Sequence, residues 1–564
     1  MCKTFSRSVP LVLVVLAAGS ARADEQLVYR TPRGVEFTVT ADGLASIRFG
    51  GRELAKGSWS AFNAEHWFKD CGSGKVKAGK VQDKTVRVLG AARARVRHVH
   101  EDVVCTAEYA FAGEDVTIDA RIENNHPDEP IEAVGFRGLT FTFARPPQGL
   151  MYVQHISYFR AHGVGLCHPG HWARIGGSWA ADESIGVGTT PRRTGLAGTL
   201  TLWDYAGWGA NQRAKLPSRR LLYFAIGQVP PRGARTVSFG LRVSPNRDWK
   251  HLLGPYREHF RKTFGPVRYK ADHRWIATDY LNHSQRAIGP GNPYGFHGGH
   301  RRIDTPAGAK KFCDAMIPGL KAANGQGAIV WGQGGDERRG GMYRPDFDVL
   351  PPEVEANWPA IAKAFGDAGL KLGVTARPRH MCVRKTWTRD RIININPDDP
   401  GHRAMIWTRF KTMVDKGCTL FYLDSFGSSF EDVKLMRFLR ARLGPDVLTY
   451  CEHQCDAIFP YSGGYSECTL DASDPKRKGA YRIWSGLANW EVYRWLTPGA
   501  QLASRLYQVK GKPGPDTEPA DRFFMRHRVT PLVFVNAYKA RLGDLKRYGA
   551  EYLDARGLWK PRED

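Results

Sequence analysis

The chain has 564 residues, 42% of them hydrophobic, with ten cysteines and a formal charge of +26. Such a length exceeds one ordinary domain, so two hydrophobic cores are expected and covalent staples are not needed. The basic excess attracts polyanions, but no zinc-finger spacing, aromatic RNA-binding signature or concentrated basic helix accompanies it, which argues against nucleic acid and for a carbohydrate partner, a sulfated or uronic polysaccharide.

Residues 1–23 read as a cleavable export signal: Lys3 and Arg7, an apolar stretch from Val9 to Gly19, then Ala21-Arg22-Ala23 as a small-x-small cleavage site. The mature chain then begins near Asp24 and acts in the periplasm or outside the cell. That apolar run is too short to span a bilayer, and no other stretch reaches the roughly 18 to 20 apolar residues a span requires. Nine cysteines remain after cleavage. Cys451 and Cys455 could pair, or bind metal with His453, although buried free thiols suit so large a protein better.

Residues 24–246 alternate with period two between turns rich in Gly, Pro, Asn and Asp. Val116, Ile118, Ala120 and Ile122 alternate with Thr117, Asp119, Arg121 and Glu123, giving one apolar and one polar face. The pattern recurs around Val35 to Val39, Val86 to Val96, Phe136 to Phe143, Leu221 to Ile226 and Val237 to Val243, which predicts an antiparallel β-sandwich. Residues 247–270 predict a linking helix, with Leu252, Leu253, Tyr256, Phe260 and Phe264 at helical spacing and Gly265-Pro266 as its stop.

From 271 to 564, strand-like apolar runs alternate with amphipathic helices. The expected strands are Trp275 to Tyr280, Ala328 to Gly332, Leu370 to Thr375, Thr419 to Asp424, Val447 to Cys451, Ser466 to Leu470, Ile483 to Ala488 and Leu532 to Ala537. Helices are clearest at Pro306 to Ala323, Pro352 to Ala368, Pro400 to Lys416 and Phe430 to Leu443. Repeated strand-helix units of this length predict a (β/α)8 TIM barrel with its active site at the strands' C-terminal ends. An open doubly wound sheet is disfavoured, because no Gly-rich dinucleotide fingerprint follows an early strand.

Asp424 ends the fourth of these strands and Glu452 the fifth, about 28 residues later. Neighbouring strands lie about 4.8 Å apart, so the two carboxyl groups are expected about 5 to 7 Å from one another. That spacing suits glycoside hydrolysis with retention, Asp424 attacking the anomeric carbon and Glu452 serving as acid and base. A capping role for Asp424 at the following helix is the structural alternative. Further candidates for binding substrate are Asp279, Trp331, Asp336, Arg377, His380, Tyr422, His453, Trp484 and Asn536. Of these, Trp331 and Trp484 could stack on sugar faces, Asp279 and Asn536 could bind hydroxyls, and Arg377 with Arg379 could hold a sulfate or carboxylate.

Leu423-Asp424-Ser425, Cys451-Glu452-His453 and a leading β-sandwich resemble the α-glycosidase group of (β/α)8 glycoside hydrolases, in particular the endo-α-N-acetylgalactosaminidase family and, more distantly, the α-amylase and α-galactosidase families. The resemblance implies a fourth-strand nucleophile, Asp424, and a fifth-strand acid/base, Glu452. In α-galactosidases the second carboxylate lies on the sixth strand, which keeps Glu467 as an alternative acid, with Asp471 behind it. No cofactor is expected and no metal: neither His297 with His300 nor Cys451, His453 and Cys455 makes a complete ligand quartet. Cys167-His168-Pro169-Gly170-His171 departs from the sulfatase pattern, and neither a nucleophile elbow nor a phosphate-binding loop is present. An inactive carbohydrate-binding barrel and a polysaccharide lyase are the competing functions.

Overall fold

The structure, a computed structural model, describes residues 25–56, 60–61, 81–129, 134–144, 148–150, 179–193, 199–203, 219–226, 229–282, 288–335, 346–382, 392–427, 430–452, 455–473, 479–485 and 490–561. The expected export signal lies outside these residues. The chain divides into two compact units, with the division between Thr263 and Phe264.

The first unit holds two antiparallel eight-stranded sheets. Their alternating residues meet in one core. Val35, Phe37 and Val39 come from one sheet, and Val116, Ile118 and Ile122 come from the other. The stretch around Val86 to Val96 is not a single strand but a hairpin, Asp83–Gly90 paired with Arg93–Val99, with Gly90 turning the chain at φ +154°. Where one linking helix was expected there are two, Trp249–Leu252 and Gly254–Phe264. The first is capped by Asp248, which accepts from the Lys250 N–H at 3.1 Å. It lies so close to the sheet that a Cβ at Gly188 would stand 2.1 Å from the Leu252 carbonyl oxygen, so only glycine fits there.

In the second unit, strands Ile276–Tyr280 (β1), Gly327–Trp331 (β2), Lys371–Ala376 (β3), Cys418–Leu423 (β4), Leu448–Cys451 (β5), Gly463–Asp471 (β6), Leu502–Lys510 (β7) and Thr530–Phe534 (β8) pair in parallel from neighbour to neighbour. Pairing of β8 with β1 closes the barrel. Helices Pro306–Ala322, Pro352–Asp367, Pro400–Asp415 and Phe430–Leu443 follow the expected order. Val354, Trp358, Ile361 and Phe365 form the buried face of the second of these.

Two strand expectations are corrected. Arg482–Ser485 is not the seventh barrel strand but a short antiparallel addition to β6. The true β7 begins at Leu502, and its polar second half hid it from an apolar-run search. The eighth strand stops at Phe534, and a helix starts at Val535 where Leu532 to Ala537 was expected to continue extended. Among the described residues no helix is long and apolar enough to cross a membrane.

One buried cation ties the Phe430–Leu443 helix to the barrel. Arg440 donates to the carbonyl oxygens of Tyr461 (2.7 Å), Gly444 (2.8 Å) and Val447 (2.7 Å) and to the Thr449 hydroxyl (3.0 Å). Burial lowers its pKa to about 10. Replacing it with Leu orphans these four acceptors, so Arg440→Leu is expected to lose at least about 3 kcal/mol of stability in denaturant titration.

Candidate active site

Strand alternation builds the site. Side chains of the barrel interior include Ile276, Ile329, Trp331, Leu420, Tyr422, Leu448, Tyr450, Tyr465, Ala503 and Leu532. Gly373 belongs to the same layer, since a Cβ there would lie 2.5 Å from Leu420 Cβ and 2.9 Å from Ile329 Cγ1. Continuing by twos from this layer toward each C-terminal end, one step on most strands and two on β1 and β3, reaches the inward positions at the barrel mouth. These are Tyr280 on β1, Asp424 after β4, Glu452 after β5, Glu467 on β6, Arg505 on β7 and Phe534 on β8. Arg377 takes that place after β3.

Asp424 is buried. Its N–H donates to the Ala376 carbonyl at 2.9 Å, and its Oδ2 accepts from Arg377 Nε at 2.5 Å. Ser425 donates its N–H to Glu452 Oε2 over 2.8 Å and then turns the chain at φ +53°. The Glu452 N–H extends the β5 to β4 pairing by donating to the Leu423 carbonyl at 3.0 Å. The helix after β4 starts at Phe430, and Asp432 receives the Gly427 N–H at 3.0 Å.

Burial, then the adjacent charge of Asp424, pushes the Glu452 carboxyl up to about 8. A hydrogen bond with Asp424 favours the protonated form, while those from the Ser425 N–H and the Tyr422 hydroxyl pull the other way.

Glu467 stands on the next strand, with Arg505 Nη2 3.0 Å from its Oε1 and the Tyr465 hydroxyl 3.5 Å away. Arg505 also donates to the Tyr280 hydroxyl at 3.0 Å and lies 4.8 Å above the Phe534 ring. Burial raises the Tyr280 hydroxyl pKa against the pull of Arg505, with Glu467 and Asp424 adding to the rise. Next to this group is a pocket of about 240 Å³ lined by Asp279, Tyr280, His297, Arg301, Phe534 and Asn536.

The other anticipated residues fall in several places. Asp279 and Asn536 meet in that pocket, but the Asp279 carboxylate is engaged by His300 Nε2 at 2.6 Å and Arg301 Nε at 3.0 Å, and Asn536 sits in the first turn of a helix. Trp331 is no sugar platform. It is 2% exposed, with the rings of Tyr280 and Tyr422 about 5 Å away (5.1 and 5.0 Å). Arg377 and Arg379 do not form an anion fork, since they pair with Asp424 and Asp432. His380 follows β3, its pKa lowered by burial and by those two arginines. Trp484 lies on the short strand beside β6. Asp336 and His453 lie outside the described residues. Cys451 and Cys455 are buried free thiols, and no metal-binding cluster occurs among the described residues.

Sequence reasoning missed Tyr280, Ser425, Arg301, Phe534 and Arg505. Period-two counting from the core outward finds Tyr280 and Phe534, and it would have found Arg505 had β7 been placed.

No protein-family model matches the sequence, and no curated protein matches it. The fold does have relatives among solved structures. An α-N-acetylgalactosaminidase from Bifidobacterium bifidum in complex with Gal-NHAc-DNJ superimposes with a TM-score of 0.51 at 12% identity, over 78% of this chain and 78% of that one. The same enzyme with GalNAc gives 0.50 at 12% identity, over 78% and 79%. An α-galactosidase from Geobacillus stearothermophilus in complex with raffinose gives 0.46 at 11% identity, over 95% and 87%. This chain shares the sandwich-plus-barrel fold.

Proposed function

We propose that the chain is a glycoside hydrolase that acts with retention through Asp424 and Glu452. The observation that carries this reading is the burial of Glu452 beside Asp424, which pushes one carboxyl of the pair up to about 8 and so divides the two into an acid and a carboxylate, as glycoside cleavage requires. Asp424 attacks the anomeric carbon as the bond to the leaving oxygen breaks, and Glu452 gives its proton to that oxygen. Glu452 then takes a proton from water, whose oxygen displaces Asp424 from the sugar. A bound sugar replaces the carboxyl-carboxyl hydrogen bond and parts the two groups toward the roughly 5 to 5.5 Å of a retaining pair.

Glu467 is the second reading for the acid. It faces inward from β6 and is the more exposed carboxylate, with 40% of its side chain accessible. A better leaving group separates the two, because it needs less protonation. The true acid's Gln variant keeps much of its rate on a nitrophenyl glycoside and loses it on an alkyl glycoside, whereas the other variant shows no such contrast.

The fold's relatives make α-galactosides and α-N-acetylgalactosaminides the first substrates to assay. The basic excess fits glycans carrying sulfate or uronate on outer units, since Arg377 and Arg379 are committed to Asp424 and Asp432. The export reading adds a site of action outside the cytoplasm, which N-terminal sequencing of secreted protein near Asp24 tests. The deciding experiment is hydrolysis of nitrophenyl glycosides followed by NMR of the first-formed sugar, with the substrate's anomeric configuration expected in the product. An inverted product, or unsaturated sugar absorbing in the ultraviolet, excludes this mechanism.

A further inference from the structure

Strands β6 and β7 do not stop at the level of the carboxylates. Their parallel pairing runs past Glu467 and Arg505 through Thr469 with Gln508 and Leu470 with Val509 to Asp471 with Lys510. Along that ladder the register shifts once. Cys468 pairs with Leu506 and Thr469 with Gln508, so Tyr507 is an extra residue with no partner. Such a bulge re-aims a side chain beside a site. Tyr507 is also 61% exposed, more than any other large hydrophobic among the described residues.

Its neighbours say what an exposed ring there can do. Ala503 and Arg505 face the barrel axis, and Tyr507, re-aimed by the bulge, stands beside Arg505. The Arg505 guanidinium lies 5.9 Å from the Tyr507 ring and 4.8 Å from the Phe534 ring, and its Nη2 is 3.0 Å from Glu467. Phe534 and Tyr280 line the pocket. Arg505 thus stands between the ring of Phe534, which lines the pocket, and the ring of Tyr507 beyond it. A flat, rigid ring with a polar tip offers an apolar face to a pyranose at little entropic cost.

We propose that Tyr507 is a stacking platform for a sugar unit outside the pocket, so that the site takes oligosaccharides rather than single sugars. This rests on the glycosidase reading but is tested by binding. Galactose, raffinose and stachyose are titrated by calorimetry into wild type, Tyr507→Phe and Tyr507→Ala, each carrying Asp424→Asn so that the sugars are bound and not cleaved. Tyr507→Ala is expected to weaken raffinose and stachyose by about 3- to 10-fold, with a smaller change for galactose, and Tyr507→Phe is expected to stay near wild type. Equal losses for galactose and raffinose, no loss in the Ala variant, or a Phe variant as weak as Ala overturns the platform. A wild type that binds none of the three also overturns it. Asp424-dependent cleavage of nitrophenyl glycosides would then leave the hydrolase reading standing alone.

Discussion

Asp424→Asn is expected to lower turnover by roughly 10⁴-fold, the scale on which removing a nucleophile acts, while the thermal transition moves little. Asparagine keeps the shape of the side chain and still accepts the hydrogen bond from Arg377 Nε. What it loses is the charge, both as nucleophile and as partner of the guanidinium. The structure holds a replacement for the second role. Burial first and the charge of Asp424 second raise the Glu452 carboxyl, so neutralising Asp424 brings it down toward the range in which it can serve as the counter-charge. Azide separates a lost nucleophile from a disturbed site, because it should restore release of nitrophenol in the variant and yield a glycosyl azide of inverted configuration. Unchanged turnover in Asp424→Asn removes this residue from the mechanism.

The fold was legible wherever periodicity was strong. The alternation of Val116, Ile118, Ala120 and Ile122 marks a half-buried strand whatever surrounds it, and the helix from Pro352 carries its stop in Gly369, which adopts φ +67°. The seventh strand was not legible, because half of β7 stands above the barrel and has no apolar face to advertise. Ile483-Trp484, with no place in the closed barrel, looked more like a strand than Leu502–Lys510 does. At the site, Asp424 and Glu452 were found because carboxylates ending apolar runs are conspicuous. The bond from the Ser425 N–H to Glu452 was not, since it joins neighbouring strands 27 positions apart in sequence. The commitments of Arg377, Arg379 and Asp279 were hidden for a related reason: their partners lie 21 to 53 positions away in sequence and are brought near only by the pairing of neighbouring strands and the return of the loop after β1.

Glu452→Gln is expected to do two opposite things, and the combination identifies the residue. Turnover of alkyl glycosides should fall by about 10² to 10⁴-fold, because glutamine has no acidic proton to give the leaving oxygen. In the wild type the same logic sets an alkaline limb: activity should fall as pH rises through about 8, where Glu452 loses its proton. Stability moves the other way. The ordinary value for the side chain is 4.5 and the folded protein raises it to about 8, so between those values the native state holds a proton that the unfolded chain has released. Wild-type stability therefore declines as pH rises through that window. Glutamine does not titrate, and its amide can donate to Asp424 while its oxygen accepts from the Ser425 N–H and the Tyr422 hydroxyl. The variant should gain nothing near pH 4 and about 1 to 3 kcal/mol over wild type at pH 7 to 8, as read by denaturant titration at a series of pH values. A variant that loses turnover and shows the same stability difference at pH 4 and pH 8 would mean that the proton assigned to Glu452 is not there.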